Sequence, residues 1–308
     1  MQLKKIFYIL LALLTLLPII NAPIALVAGI AFSLLLGNPF AEQTAKFSKV
    51  LLKLSIVGLG FGLNAINAFE VSKDGFLITI VTISLVFGLG YLFNKFFKIE
   101  KITALLISSG TAICGGSAIA SVSPIVKAKN EQISIAIGVV FLLNALALLI
   151  FPFIGHFFEL SQYQFGLWSA IAIHDTSSVV GAAQAFGKEA LEVATTVKLS
   201  RALWIVPVTL IISYFHNKSK GATGIKIPSF ILAFIAATVI ATIFSQGQVV
   251  YDSISAVSRQ LLVTTLFFIG SGISLSQIKK VGAKSIFYAT GLWIVISIFS
   301  LVLILNNF

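Results

Sequence analysis

SSGTAICGGSAIASVSP, residues 108–124, sets three glycines, six hydroxyl side chains and a terminal proline in a run whose flanks are apolar, with no large side chain near its centre. Helix propensity is poorest where Gly115 and Gly116 adjoin, so the chain is expected to break there. A break would make the N–H groups of Gly116, Ser117 and Ala118 the start of a half-helix. Its N-terminus would carry about half a positive charge, which is a site for an anion. The alternative is a small-residue face for close helix packing, which the same pattern supplies.

Outward from this segment the chain is apolar almost throughout. Of its 308 residues 58% are hydrophobic and 10% charged, and the mean hydropathy is +1.06. No water-soluble domain of this size could carry such a surface. A single cysteine, Cys114, excludes an intrachain disulfide framework, and no Cys/His cluster has metal-ligand spacing, so neither a metal nor another cofactor is expected. The net charge of +11 resides in short lysine clusters between apolar runs, which marks topology rather than nucleic-acid binding. The amino end, MQLKKIFYILLALLTLLPIINAP, resembles a secretory signal as far as Ala22, but Pro23 should block cleavage and the apolar character resumes at once. An uncleaved first helix is the expectation.

A crossing needs about 20 apolar residues. Eleven runs qualify, at 5–20, 22–37, 50–67, 75–95, 102–126, 132–155, 164–187, 196–215, 228–246, 254–276 and 284–305. The fold class is therefore an all-α polytopic membrane protein, with residues 1–308 as one transmembrane domain and Lys188 to Thr196 as a candidate interfacial helix. With the N-terminus inside, alternate connections carry 13 Lys and Arg on the inner side and 5 (Lys73, Lys127, Lys129, Lys188, Arg259) on the outer. This asymmetry predicts a cytoplasmic N-terminus and an external C-terminus.

Asp175 stands alone among the acidic residues in falling at the middle of a hydrophobic run, WSAIAIHDTSSVVGAA. An unpaired charge there costs at least about 2.5 kcal/mol, so a functional role is the default reading. His174, Asp175, Thr176, Ser177 and Ser178 with Gly181 predict a segment that unwinds toward a cavity, with His174 and Asp175 coupling or gating and Thr176 and Ser177 beside them. A neutral network that only holds helices together is the alternative. Lys198 and Arg201, in VKLSRALWIVPV, are three residues apart on one helical face. The planar fork of Arg201 suits an oxyanion, whereas snorkelling to the interface would explain Lys198 as well. Asn64 and Asn144 are further buried polar candidates. The glycines at 58–62 and 88–90 follow no strand and do not indicate nucleotide binding. No nucleophile elbow accompanies His174, and no enzymatic activity is expected.

Two weak internal matches stand out: Leu51-Leu52 with Gly60-Phe61-Gly62 against Leu261-Leu262 with Gly270-Ser271-Gly272, and NAPIALVAGIA (21–31) against KIPSFILAFIA (226–236). Each pair is seven predicted helices apart, and an odd offset is what an inverted repeat requires.

The segments GTAICGGSAIASVSPIVKA (110–128), HDTSSVVGAA (174–183), VKLSR (197–201) and LFFIGSGISL (266–275) together resemble a bacterial inner-membrane family often called sulfate exporters, or the conserved hypothetical 698 family. The resemblance covers essentially the whole chain. It implies a fold like that of the sodium/proton antiporter and bile-acid symporter group, with two inverted five-helix repeats (22–155 and 164–305, after an extra helix at 5–20) and broken helices crossing in the fifth and tenth spans. That register places Gly270 and Gly272 opposite the 108–124 segment and makes the seven-helix matches accidental. The function expected is export of sulfate or sulfite by alternating access in the bacterial plasma membrane, with Thr111, Gly115, Gly116, Ser117, Ser123 and Arg201 holding the anion and Cys114, Lys198, Asn64 and Asn144 as secondary candidates. A sodium- or proton-coupled porter of an organic carboxylate or sulfonate, a sodium/proton antiporter and a non-transporting membrane protein are the alternatives. The partners expected are thus a small anion, a proton or sodium ion, the lipid bilayer and, as an option, a second copy of the chain.

Overall fold

The computed structural model describes residues 2–216, 229–272 and 282–307, and all regular structure among them is helical. The helices are α1 (Gln2–Leu14), α2 (Ala22–Leu36), α3 (Ala41–Gly60), α4 (Ala65–Phe97), α5 (Lys101–Ala112), α6 (Gly116–Val122), α7 (Asn130–Phe157), α8 (Gln162–Ala172), α9 (Thr176–Phe186), α10 (Lys188–Ala202), α11 (Ile205–His216), α12 (Ser229–Ile243), α13 (Gln248–Ser271) and α14 (Ala283–Asn307). Among the described residues five stretches are long and apolar enough to cross a bilayer: Ala65–Phe97, Asn130–Phe157, Lys188–His216, Ser245–Ser271 and Ala283–Asn307. Ala22–Leu36 and Ser229–Ile243 are shorter apolar helices. Large apolar side chains such as Leu35, Phe69, Leu77, Phe96 and Phe153 point outward, which only a lipid solvent tolerates over so wide a surface. The connections that carry Lys218, Lys220 and Lys226, and Lys279 and Lys280, lie outside the described residues.

Two groups of helices pack side by side. In one, α13 lies along α2 and α3, α12 packs on α3, and α1 rests on α13. Small residues let these backbones touch: a methyl group at Gly29 would come within 2.2 Å of the Phe267 carbonyl oxygen, and one at Gly270 within 2.4 Å of that of Leu26. The second group contains α4, α7, α10, α14 and the short helices between them.

Those short helices are two hairpins. Glu100, which precedes α5, accepts a hydrogen bond from Gln132 in the first turn of α7, so α5 and α7 begin side by side. They then run parallel, since Gly110 faces both Val140 of α7 and Ile119 of α6. α6 therefore folds back along α5. The same logic holds for the second pair: Gln162 at the start of α8 accepts from the N–H groups of Glu189 and Ala190 at the start of α10. Phe165 of α8 stacks on Phe186 at the end of α9, with ring centroids 3.9 Å apart, and His156 near the end of α7 stacks on Phe186 as well. The hairpins α5–α6 and α8–α9 thus enter from opposite ends of α7 and turn at 113–115 and 173–175. At 1.5 Å per residue α5 and α8 reach about 16–18 Å, just past the middle of a bilayer of about 30 Å.

Two expectations change and one falls partly outside the described residues. The runs at 102–126 and 164–187 double back instead of crossing, because hydropathy reports composition and not chain direction. The 113–115 break meets the 173–175 turn of the seventh run, whereas in the tenth run α13 is continuous to Ser271 and residues 273–276 lie outside the described residues. The stretch from Lys188 to Thr196 opens α10 with Ala190, Leu191, Val193, Ala194, Thr195 and Thr196 all buried, so it is not interfacial.

Candidate functional site

Gly115 forms the first tip with φ +64° and ψ −124°, a conformation that needs glycine. Its N–H donates to the Gly110 carbonyl at 2.9 Å, and α6 begins at Gly116, where Gly115 has no side chain to cap it and the Cys114 thiol lies against the Ala118 N–H and the Ser117 hydroxyl. At the second tip Ile173 is extended, His174 follows, and Asp175 caps α9: its carboxylate accepts from the Ser178 N–H at 2.9 Å, from Ser178 Oγ at 2.8 Å and from Ser177 Oγ. The tips touch. A Cβ on Gly115 would lie 3.3 Å from Cβ of Asp175.

The C-terminal ends of α5 and α8 also converge, and there the unpaired carbonyls of two helices would be stranded away from water. α10 meets them with its two cations. Lys198 Nζ donates to the carbonyls of Ile113 (3.2 Å), Ala170 (3.2 Å) and Ile173 (2.7 Å). Arg201 donates through Nε (3.0 Å) and Nη2 (2.6 Å) to Ala112 and through Nη1 (3.2 Å) to Ile171. Trp293 of α14 supplies Nε1–H to the Ala172 carbonyl at 3.1 Å. Both cations are fully buried, so neither snorkels, and the fork expected to hold an oxyanion is instead taken by main-chain oxygens. Sequence reasoning could see the charges on one face of α10 but not the carbonyls, which every residue carries alike.

Around the tips several buried polar atoms have no hydrogen-bond partner among the described residues: Thr111 Oγ1, Asn144 Nδ2, and both ring nitrogens of His174. Asn144 is tied to the site by its Oδ1, which accepts the His174 main-chain N–H at 2.9 Å. Thr111, Gly115, Gly116, Ser117, His174, Asp175, Thr176 and Ser177 are therefore brought to the two tips, with Cys114 buried between Ile113 and Gly115. Ser123 is not: its hydroxyl donates to the Ile119 carbonyl at the far end of α6. Asn64 caps α4, accepting from Ile66 and Asn67, and Gly270 and Gly272 belong to the packing and end of α13. Ser178, expected only as part of the unwinding segment, joins the site as a donor to Asp175 through both its N–H and its hydroxyl, and Trp293 joins it without having been singled out, from a helix whose tryptophan sits in a featureless apolar run. Among the described residues no three His, Cys, Asp or Glu side chains gather as they would around a metal ion.

The profile of the family described as conserved hypothetical protein 698 matches residues 4–289. Curated relatives named UPF0324 membrane proteins include one from Vibrio parahaemolyticus, 50% identical over 92% of this chain and 93% of its own length, and one from Bdellovibrio bacteriovorus, 46% identical over 96% and 92%. A third, from Geobacter sulfurreducens, is 45% identical over 92% of this chain and 91% of its own. No solved structure matches. The chain is a membrane protein and belongs to the conserved hypothetical protein 698 family, the UPF0324 membrane proteins.

Proposed function

We propose that this protein is a secondary transporter that exports a small inorganic sulfur oxyanion, sulfate or sulfite, by alternating access, and that the anion binds where the two hairpin tips meet. The observation that carries the site is the meeting of the two tips beside Thr111 Oγ1 and Asn144 Nδ2, both buried without a partner among the described residues, at an N-terminus of α6 that no charged side chain caps, opposite an N-terminus of α9 that its own Asp175 caps. Neutral donors at mid-depth suit an anion that must also leave. The choice of a sulfur oxyanion rests on the family resemblance of the sequence. Outward movement needs no coupling ion for a dianion, since 100 mV, negative inside, contributes about 2.3 kcal/mol per charge. In this reading Arg201 holds the fold of the site and not the anion.

The hairpins also support a revised topology. With α5–α6 and α8–α9 as re-entrant pairs, nine helical crossings remain of the eleven runs, and the connection that carries Lys127 and Lys129 moves to the inner side. The count of basic residues becomes 15 inside against 3 outside, sharper than 13 against 5 and with the same cytoplasmic N-terminus. The packing favours the seven-helix repeat register over the five-helix one for the flanking helices: α2 meets α13 as α12 meets α3, and α4 packs on α5 as α14 packs on α8, whereas the two hairpins correspond to each other outside that offset. The matches at 21–31 with 226–236 and at 51–62 with 261–272 then pair α2 with α12 and α3 with α13.

Counterflow tests the function. Proteoliposomes preloaded with sulfate, sulfite, taurine or a dicarboxylate are supplied with radiolabelled sulfate, and wild type is compared with Thr111→Val. Trans-stimulation by sulfate or sulfite, reduced about tenfold or more by Thr111→Val, is the expected result. Stimulation by organic acids alone, or by no anion, removes the sulfur-oxyanion reading.

A further inference from the structure

In transporters with broken helices, the carbonyl groups at half-helix C-termini are where a sodium ion is coordinated. Here two such C-termini meet, and the three oxygens that converge on one point, those of Ile113, Ala170 and Ile173, surround Lys198 Nζ at 2.7–3.2 Å. An ammonium has three donor hydrogens, and each has an acceptor. Arg201, one turn further along α10, covers the neighbouring oxygens of Ala112 and Ile171, and both side chains are fully buried. Each helix C-terminus carries about half a negative charge, so one meeting point of two ends offers the field of about one unit charge to whatever cation sits there. The chain fills that position itself.

We propose that the Ile113, Ala170 and Ile173 carbonyls form a monovalent-cation site whose resident cation is the Lys198 ammonium, so that the protein works without binding sodium at its centre. A tethered ammonium cannot be diluted away, and a free ion can enter only if the side chain leaves. The site is therefore latent: shortening residue 198 leaves a carbonyl cage shaped for a small cation. The consequence for coupling, that transport is independent of sodium, rests on the transporter reading above; the cage does not.

The test is thermal unfolding of the purified full-length protein in lipid nanodiscs, with sodium, potassium, ethylammonium or N-methylglucamine chloride at equal ionic strength. Wild type is expected to melt at the same temperature in all four. Lys198→Ala is expected to melt lower in N-methylglucamine and to recover by at least about 3 °C in sodium, potassium or ethylammonium. Lys198→Met fills the space without charge and should respond to none of them. Two results overturn the proposal: a wild type stabilised by sodium over N-methylglucamine, or a folded Lys198→Ala that responds to no small cation. Should Lys198→Ala fail to fold in every salt, the wild-type comparison together with Lys198→Arg, which keeps a resident cation and must stay indifferent to sodium, decides the matter. Counterflow with sodium replaced by N-methylglucamine reads the coupling consequence separately, so a substrate reading that fails leaves the cage standing and the reverse.

Discussion

The two hairpins have one plan and two different tips. Both consist of a first helix of eleven or twelve residues, a three-residue turn and a return, and both end their first helix on carbonyls held by α10. They differ at the second helix. α6 starts at Gly115-Gly116 with no side-chain cap, whereas α9 starts at Asp175, whose carboxylate accepts three hydrogen bonds from its own first turn. One positive helix end is thus met by a carboxylate of the protein and the other by no charged group, with the Cβ of that aspartate packed against Gly115. An anion at α6 must contend with that charge. Under the transporter reading proposed above, α6 belongs to the ligand, α9 to the response and α10 to the scaffold, and each assignment can be broken separately.

The largest effect is expected from the scaffold that the hairpins share. Arg201→Ala leaves the Ala112 and Ile171 carbonyls buried without a donor and removes a charge that balances two helix ends. A loss of about 3–5 kcal/mol is expected, read as a collapse of the monodisperse peak and melting transition of the purified protein. Arg201→Lys should recover only part of this, because a point donor cannot span carbonyls on both hairpins. If Arg201→Ala folds as stably as wild type yet loses anion binding, the guanidinium belongs to the ligand and the division of labour drawn above is wrong.

Gly115→Ala comes next and separates the tips. Its φ of +64° with ψ of −124° is strained for any side chain, and the new methyl would press on Asp175 and Val140. About 1–3 kcal/mol of stability should be lost, together with most of the anion response. Gly116→Ala adds a methyl that meets only the Phe141 ring at 3.4 Å, and it should be tolerated with a change below about 1 kcal/mol. Equal damage from the two substitutions would mean that the tip conformation does not matter.

How far the sequence foretold this site depends on which physical signal each part emits. Gly115-Gly116 and the run from His174 to Ser178 were visible because poor helix formers and a carboxylate are costly in apolar surroundings, and both do mark breaks. Lys198 and Arg201 were visible as charges, but their partners were not, since main-chain carbonyls leave no trace in composition. The doubling back was hidden for a similar reason: twelve apolar residues down and a dozen back look like one crossing, and the clue was the polar pair Glu100 and Gln132, which hydropathy ignores. Asn144 was legible as a buried amide, but not as the group that fixes His174, because that contact joins positions 30 residues apart.

Asp175 allows charge and capping to be divided. Asparagine is as good an N-cap as aspartate, while alanine costs about 1 kcal/mol. Asp175→Asn should therefore melt close to wild type and Asp175→Ala distinctly lower, and under the transporter reading a loss of counterflow in both marks the charge as essential, while a loss in alanine alone marks the cap. If Asp175→Asn transports as wild type does, the carboxylate serves as a cap alone, and His174, buried with both ring nitrogens unpartnered among the described residues, is the next to be changed.

The smallest effect belongs to the Ala172 carbonyl at the end of α8, which a neutral side chain from another helix holds. Trp293 donates to Ala172 at 3.1 Å and its ring stacks on Phe151, at 5.9 Å between centroids. Trp293→Phe keeps an aromatic ring in that stack and removes the donor, so the loss should be about 0.5–1.5 kcal/mol, a shift of a few degrees in the melting transition. Arg201→Ala strikes both hairpins, whereas this change strikes only α8–α9. Proteolytic or hydrogen-exchange protection should therefore fall at 170–176 and stay unchanged at 110–116. A loss at both tips would show that the hairpins move as one body, and the separate roles given to α6 and α9 would then have to be merged into a single element that binds and responds together.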